Sequence, residues 1–320
     1  MLAMLQRKFK TLNNKKIYKL NYFDFIESKN KNNRKMKNLP LILISLTFIL
    51  SSCNNEDEIT QPQETQGYNM LLIGNSFFKP YANNLNEVAL DAGFEEHNAT
   101  LIFRGGDNGR PINFWNDSNS SEHQQIKATL DQGNVDYFGM TAGYDLDNTD
   151  DPYEGHREWI SYALQNNPNI KIFIAIPVID YPAYWDERAE EFGFNTIDEL
   201  YDYFVNVLVN QTMINQLRTE FPSTSIFSIP TGWVTIKLTQ MYEENLLLDT
   251  ITVFGPKPTS LFTDQKGHQG QIGIEAGTLV WLQSIYNIDL GTNTYETGFN
   301  TDLHDIAKEV TDSHDPNYKQ

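Results

Sequence analysis

Asn69-Met70-Leu71-Leu72-Ile73-Gly74-Asn75-Ser76-Phe77 decides how the rest of the chain is read. Its continuous apolar run, without polar alternation, suits a strand buried on both faces, as strands of a parallel sheet are. Gly74 permits a sharp exit, and Ser76 then lands at the mouth of the sheet. A serine there suits two roles. It can cap the next helix, or it can act as a nucleophile if a base stands beside it, because a free hydroxyl is a poor one. This segment alone does not choose between them.

Working outward, the same alternation continues. Residues 82–93 place Leu85, Val88 and Ala89 at helical spacing and stop at Gly93. Ala99 to Phe103, Val135 to Met140, Ile170 to Ile176 and Ser225 to Ile229 read as four further strands. Helices are expected over 121–132, 154–165, 196–220 (broken once), 231–249 and 270–286. Five short apolar strands separated by helices predict an α/β fold: a three-layer α/β/α arrangement around a doubly wound, mostly parallel five-stranded sheet. In such sheets the site lies beyond the carboxyl ends of the strands. The acidic, polar stretch 291–320 reads as a loose C-terminal tail.

The chain has 320 residues, with 24 Lys and Arg against 42 Asp and Glu, a formal net charge of −18. Residues 1–52 hold 11 of the basic residues and only Asp24 and Glu27 as acids, which leaves 13 basic against 40 acidic residues in 53–320. A body this acidic repels phosphate backbones, so no nucleic-acid partner is expected. Cys53 is the only cysteine. An intrachain disulfide, a CxxC redox pair and a Cys-rich zinc site are therefore excluded.

Met36 to Cys53 reads MKNLPLILISLTFILSSC. A lysine, an apolar run of about a dozen residues and small residues before a cysteine are the layout of a secretory signal, too short for a bilayer core of roughly 30 Å. Leu50-Ser51-Ser52-Cys53 resembles a bacterial lipobox, which implies cleavage before Cys53 and lipid on its thiol. The organisation expected is an over-extended N-terminus at 1–35, a lipoprotein signal peptide at 36–52, an acidic tether at 53–67, a catalytic-type domain at 68–290 and the tail. The only membrane contact expected is through that lipid. The location implied is that of an exported bacterial lipoprotein, at the outer membrane or cell surface.

The second chemical feature is LFTDQKGHQGQIGIEAGTLVW at 261–281. His268 stands just before a helix expected to pack beside the first strand, with Asp264 four residues earlier in a loop containing Gly267. A histidine base needs a partner that fixes its tautomer and stabilises the imidazolium, and an aspartate on the same loop can serve. Both are also ordinary turn and cap residues. A lone Asp/His pair has too few ligands for a metal.

Together these features resemble the SGNH (GDSL-like) hydrolase superfamily over residues 68–290. Gly74-Asn75-Ser76-Phe77 is similar to its first block, with Asn75 where an Asp is usual. Arg104-Gly105-Gly106-Asp107 is similar to its second. Asp264 and His268 resemble its last, with one residue more than the family's Asp-x-x-His; Gly267 is the expected insertion. The resemblance implies a flavodoxin-like SGNH fold, Ser76 as nucleophile, His268 as base and Asp264 as its orienting acid. It also implies an oxyanion hole of the Ser76 and Gly106 N–H groups, with Gly105 close behind. The family's third block, Gly-x-Asn-Asp, is not matched by Thr141-Ala142-Gly143-Tyr144-Asp145. The third donor is therefore open among Asn148, Thr141 and Tyr144.

For substrate contact the sequence offers Asn75 and Phe77 beside the serine, Arg104 as a cation in an acidic chain, and Trp115 and Trp185 after loops. Other rings beyond strand ends, Tyr181 and Tyr184 among them, read as core or as a platform for sugar faces. Residues 181–195 form an insertion able to act as a lid. The remaining histidines, His97, His123, His156, His304 and His314, read as surface. The expected function is an ester hydrolase with no cofactor and no metal, acting on an acylated, above all O-acetylated, glycan or another small ester. A lipid or lysophospholipid esterase and a non-catalytic glycan-binding lipoprotein on a decayed hydrolase fold are the rivals.

Overall fold

In the computed structural model, which describes residues 66–143 and 152–320, the first apolar run forms β1 (Asn69–Gly74) at the heart of the sheet. The chain then proceeds through α1 (Lys79–Asp91), β2 (Asn98–Phe103), α2 (Pro111–Asn116), α3 (Ser121–Leu130) and β3 (Tyr137–Thr141). Next come α4 (Glu154–Asn166), β4 (Lys171–Ala175), α5 (Trp185–Phe192), α6 (Ile197–Tyr203), α7 (Asn215–Glu220) and β5 (Ile226–Ile229). The last elements are α8 (Gly232–Glu243), β6 (Thr252–Phe254), β7 (Ser260–Phe262), α9 (Gln271–Tyr286) and α10 (Leu303–Ser313). The signal segment, Cys53, most of the tether, Tyr144 and Asn148 lie outside the described residues.

The main sheet has the order β2-β1-β3-β4-β5 and every pairing is parallel. Ile73 sits between Ile102 and Met140 in register. Parallel pairing requires crossovers, so helices cover both faces and the strands must be apolar throughout; β3 and β5 are buried at every residue. One face carries α1, α8, α9 and α10. On the other, α2, α3 and α4 pack together, and Arg157 of α4 pairs with Glu220 of α7 at 2.7 Å. The strand order reverses direction between β1 and β3, which opens a crevice at their carboxyl ends.

Two expectations are corrected. The C-terminal stretch is not a loose end. Leu303, Ile306, Ala307 and Val310 of α10 are buried against α9, and the whole described chain falls in one compact unit. The segment is anchored further by Asp249, which accepts from the Asn300 and Thr301 N–H groups at 2.9 Å each. The helix expected over 196–220 is not broken. A wider π turn, Phe204–Ile214, joins α6 to α7 without interruption. A small parallel pair, β6 and β7, was not visible in the pattern; its three-residue strands are too short to show a period.

Candidate active site

The turn after β1 is built for proximity. A Cβ on Gly74 would lie 2.5 Å from Cγ of Phe78, so only glycine lets that ring fold back under the strand end. The Asn75 carbonyl then accepts from the N–H groups of Phe78 and Lys79 at 3.2 and 3.0 Å, and the Asn75 side chain accepts from the Phe77 N–H at 3.0 Å. This Asx turn lifts Ser76 clear of both strand and helix. Ser76 is not the N-cap of α1: that place belongs to Phe78, with no side-chain cap.

The loop between β7 and α9 brings its own pair. His268 Nε2 stands 2.7 Å from Ser76 Oγ, and His268 Nδ1 stands 2.6 Å from Asp264 Oδ2. The other Asp264 oxygen accepts from the backbone N–H groups of Gly267 and His268 at 3.1 and 3.3 Å. Partial burial by itself would raise the Asp264 carboxyl. The hydrogen bonds from the His268 ring, the His268 N–H and the Gly267 N–H outweigh it and hold the group below its usual range. An ionised carboxylate only accepts, which places the proton on Nδ1 and turns the Nε2 lone pair toward the Ser76 hydroxyl. Phe77 stacks on the imidazole at 4.9 Å between centroids. At φ +99° Gly267 closes a turn in which its N–H also donates to the Asp264 carbonyl at 3.1 Å.

Gly105 and Gly106 follow β2, which extends beside β1 through the Arg104 N–H donating to the Gly74 carbonyl at 3.2 Å. The space where a Cβ of Gly106 would stand is empty, and neither its N–H nor that of Ser76 has an acceptor among the described residues. Thr141, at the end of β3, is only 1% exposed, and its Oγ1 has no partner among the described residues. Its carbonyl accepts from His156 Nε2 at 2.9 Å.

A cavity of about 530 Å³ opens beside the serine. Asn75, Phe77, Gly106 and Thr141 line it on the strand side, and Asp180, Tyr181, Tyr184 and Lys266 line it on the loop side. Ser76 and His268 are not themselves in the lining; Asn75 and Phe77, on either side of the serine, and Lys266, two residues before the histidine, are. Residues 181–195 fold as a short turn, Pro182–Tyr184, followed by α5, and form this wall.

Three of the substrate-contact expectations place elsewhere. Trp185 is buried, edge-on to Phe262, with its indole N–H donating to the Ile179 carbonyl at 2.9 Å. Trp115 packs edge-on against Trp159 at 4.9 Å. Arg104 is committed to Asp117 at 3.0 Å and Glu122 at 3.2 Å. None of the three lines the cavity. The histidines read as surface are mostly interior. His97, His123, His156 and His314 are buried, and each ring meets a Tyr286, Phe114, Thr141 or Ser228 oxygen at 2.6 to 3.0 Å. A single such histidine leaves no spacing signal in a sequence, because its partner stands at no fixed offset, 9 residues away for His123 and 189 for His97. No cluster of three His, Cys, Asp or Glu side chains placed to hold a metal occurs among the described residues. No described helix is long and apolar enough to cross a membrane.

The fold has a counterpart among solved structures. The chain shares the fold of a DUF4886 family protein. That protein, from Bacteroides uniformis, is 14% identical with a TM-score of 0.51, over 77% of this chain and 93% of its own. The periplasmic domain of a lipopolysaccharide acetyltransferase from Salmonella ser. Paratyphi A is also similar, at 14% identity and a TM-score of 0.33, over 53% of this chain and 69% of its own. At that distance the first likeness speaks to architecture alone and the second to neither architecture nor chemistry. No family model and no curated protein matches the chain.

Proposed function

We propose that the chain is a serine ester hydrolase of the SGNH type that removes acyl, chiefly acetyl, groups from a glycan. The observation that carries this reading is the relay Ser76–His268–Asp264, with contacts of 2.7 and 2.6 Å and the tautomer fixed by the carboxylate.

The steps follow from that geometry. Ser76 Oγ attacks the ester carbonyl while its proton passes to His268 Nε2. Asp264 stabilises the imidazolium. The N–H groups of Ser76 and Gly106, both without acceptors among the described residues, take the developing oxyanion. The tetrahedral intermediate collapses as Nε2–H protonates the leaving sugar hydroxyl, leaving an acyl-serine. Water, deprotonated by His268, attacks the acyl-serine, and the carboxylic acid leaves as the proton returns to Ser76. The cavity wall carries Asp107, Arg110, Asp180, Glu187, Arg188, Glu191 and Lys266, a lining that disfavours a long apolar acyl chain.

In this reading the chain is exported through Met36–Ser52 and held to a membrane by lipid on Cys53. A Cys53→Ala chain that still fractionates with membranes would remove the anchoring part. The hydrolase part is tested by p-nitrophenyl acetate hydrolysis with the full chain beside Ser76→Ala and His268→Ala. Loss in both variants supports it, and activity that survives Ser76→Ala sinks it. The absence of an Asn at the third block favours the second reading, a glycan-binding protein without turnover; ester hydrolysis that depends on Ser76 eliminates that alternative.

A further inference from the structure

We propose that Asp180, Tyr181 and Tyr184 form a subsite for a neutral pyranose ring, the sugar unit that bears the ester. The assignment of the bound unit as the leaving group rests on the hydrolase reading above; the subsite itself does not.

Few large apolar side chains are left exposed among the described residues, and two of them are neighbours on the wall of this cavity. Tyr181 is 51% exposed and Tyr184 60%. Isolated exposed rings are unremarkable on a surface, but two beside a serine–histidine pair offer flat apolar faces of the kind that pack on the C–H face of a sugar. Tyr181 is held in place at a cost. Its φ of +59° is the left-handed region, which a bulky residue enters only when its surroundings force it. Here the forcing contacts are its N–H bond to the Lys266 carbonyl at 2.9 Å and the packing of Pro182 against Gly267.

Asp180 supplies the polar half. Its Oδ2 meets Lys266 Nζ at a loose 3.5 Å, and Oδ1 has no partner among the described residues. A carboxylate in that state accepts from sugar hydroxyls. Burial raises the Asp180 carboxyl against the pull of Lys266, so added donors are favourable to it. Neutrality follows from the cations. Arg110 meets Asp107 at 3.0 Å, Arg188 meets Glu191 at 2.9 Å and Lys266 meets Asp180, while Glu187 adds a further negative charge. An anionic sugar would have to break one of these pairs.

The test compares two esters on the full chain: p-nitrophenyl acetate, which has no sugar, and mono-O-acetylated methyl glucopyranosides. Glycine tolerates the left-handed backbone, so Tyr181→Gly removes the ring without adding strain. The ratio of kcat/KM for the glucoside ester to that for p-nitrophenyl acetate is expected to fall about tenfold in Tyr181→Gly, Tyr184→Ala and Asp180→Ala. Tyr181→Phe should keep it. An unchanged ratio overturns the subsite. If the wild type hydrolyses neither ester, the hydrolase reading has failed and binding decides the subsite instead. Saturation-transfer NMR with methyl glucopyranoside should then show binding that the Tyr181→Gly/Tyr184→Ala chain loses. No binding by the wild type, or equal binding of methyl glucuronide, overturns it.

Discussion

The backbone N–H of Tyr181 donates to the carbonyl of Lys266 at 2.9 Å, which pins the loop leaving β4 to the loop that carries Asp264 and His268. Gly267 sits at that junction, and a Cβ there would stand 2.8 Å from Cδ of Pro182 at a backbone angle of +99°. Gly267→Ala is expected to destabilise the chain by about 1–3 kcal/mol, from left-handed strain and the displaced proline together. Because the strain falls next to His268, kcat for ester hydrolysis should fall while KM moves little. Urea denaturation and steady-state kinetics on one preparation check both parts. A Gly267→Ala chain with wild-type kcat would mean that the turn does not set the histidine.

Asp264 is predicted to act through the tautomer of His268. Asp264→Asn keeps the shape but replaces an obligate acceptor by an amide able to donate to Nδ1. The Nε2 lone pair then no longer faces Ser76. A fall of about 10⁴ in kcat is expected, with a much smaller change in KM, by analogy with the measured cost of the same exchange in a Ser-His-Asp protease. Comparable losses in Asp264→Asn and Asp264→Ala would support orientation and charge acting together. Near-wild-type turnover in either would assign the third role to another acid.

The five strands, the helix after Ser76 and the placing of His268 at a helix start were legible because a two-face-buried strand leaves an uninterrupted apolar run. A serine or histidine beyond such a run stands out. The docking of α10 was hidden by composition. Its apolar stripe of Leu303, Ile306, Ala307 and Val310 has the i, i+3, i+4, i+7 spacing of an amphipathic helix, but Asp302, Asp305, Glu309 and Asp312 around it give the segment the average polarity of a tail. Trp185 and Arg104 were misplaced for a different reason. Their partners, the Ile179 carbonyl and the Asp117 and Glu122 carboxylates, are set by tertiary turns that no local pattern encodes.

Three buried histidines predict acid lability. Burial lowers His97, His156 and His314 to about 4, from an ordinary value of 6.5. Between those values the unfolded chain binds protons that the folded chain refuses, so stability falls as pH drops from about 6.5 to about 4 and is unaffected by these groups above that window. His156 is wholly enclosed, with Nε2–H given to the Thr141 carbonyl. Its share of the loss is about 3 kcal/mol at the low end. Thermal melts at closely spaced pH values should show the slope, and His156→Gln should flatten it. A melting temperature independent of pH across that range would show that these rings accept protons in place.

Truncation after Asp302 is expected to unfold the domain. It removes the buried Leu303, Ile306 and Val310 side chains, each contributing about 1.5–3 kcal/mol, together with Ala307, and it uncovers apolar α9. The total is comparable with the whole stability of an ordinary domain, about 5–15 kcal/mol. A truncated chain that melts cooperatively near the wild-type temperature would contradict the docking. An intermediate loss would mean that the remaining helices repack over α9.

Thr141→Val separates stability from turnover. The Thr141 hydroxyl is a buried polar group with no partner among the described residues, beside Phe77 and at the strand end next to the crevice. An isosteric valine removes that unpaired group and should stabilise the chain by about 1 kcal/mol or more. A buried hydroxyl left without a partner needs a reason, and donation to an oxyanion present only during the reaction supplies one. The same variant should therefore lose about 10² in kcat on simple esters, the cost of one missing oxyanion donor. Denaturation and kinetics are thus expected to move in opposite directions. Greater stability with unchanged kcat would exclude Thr141 as the third donor and leave that role to a group outside the described residues. Reduced stability would show that the hydroxyl is already paired, by a water held between it and Thr231 in the small, largely apolar gap that both line.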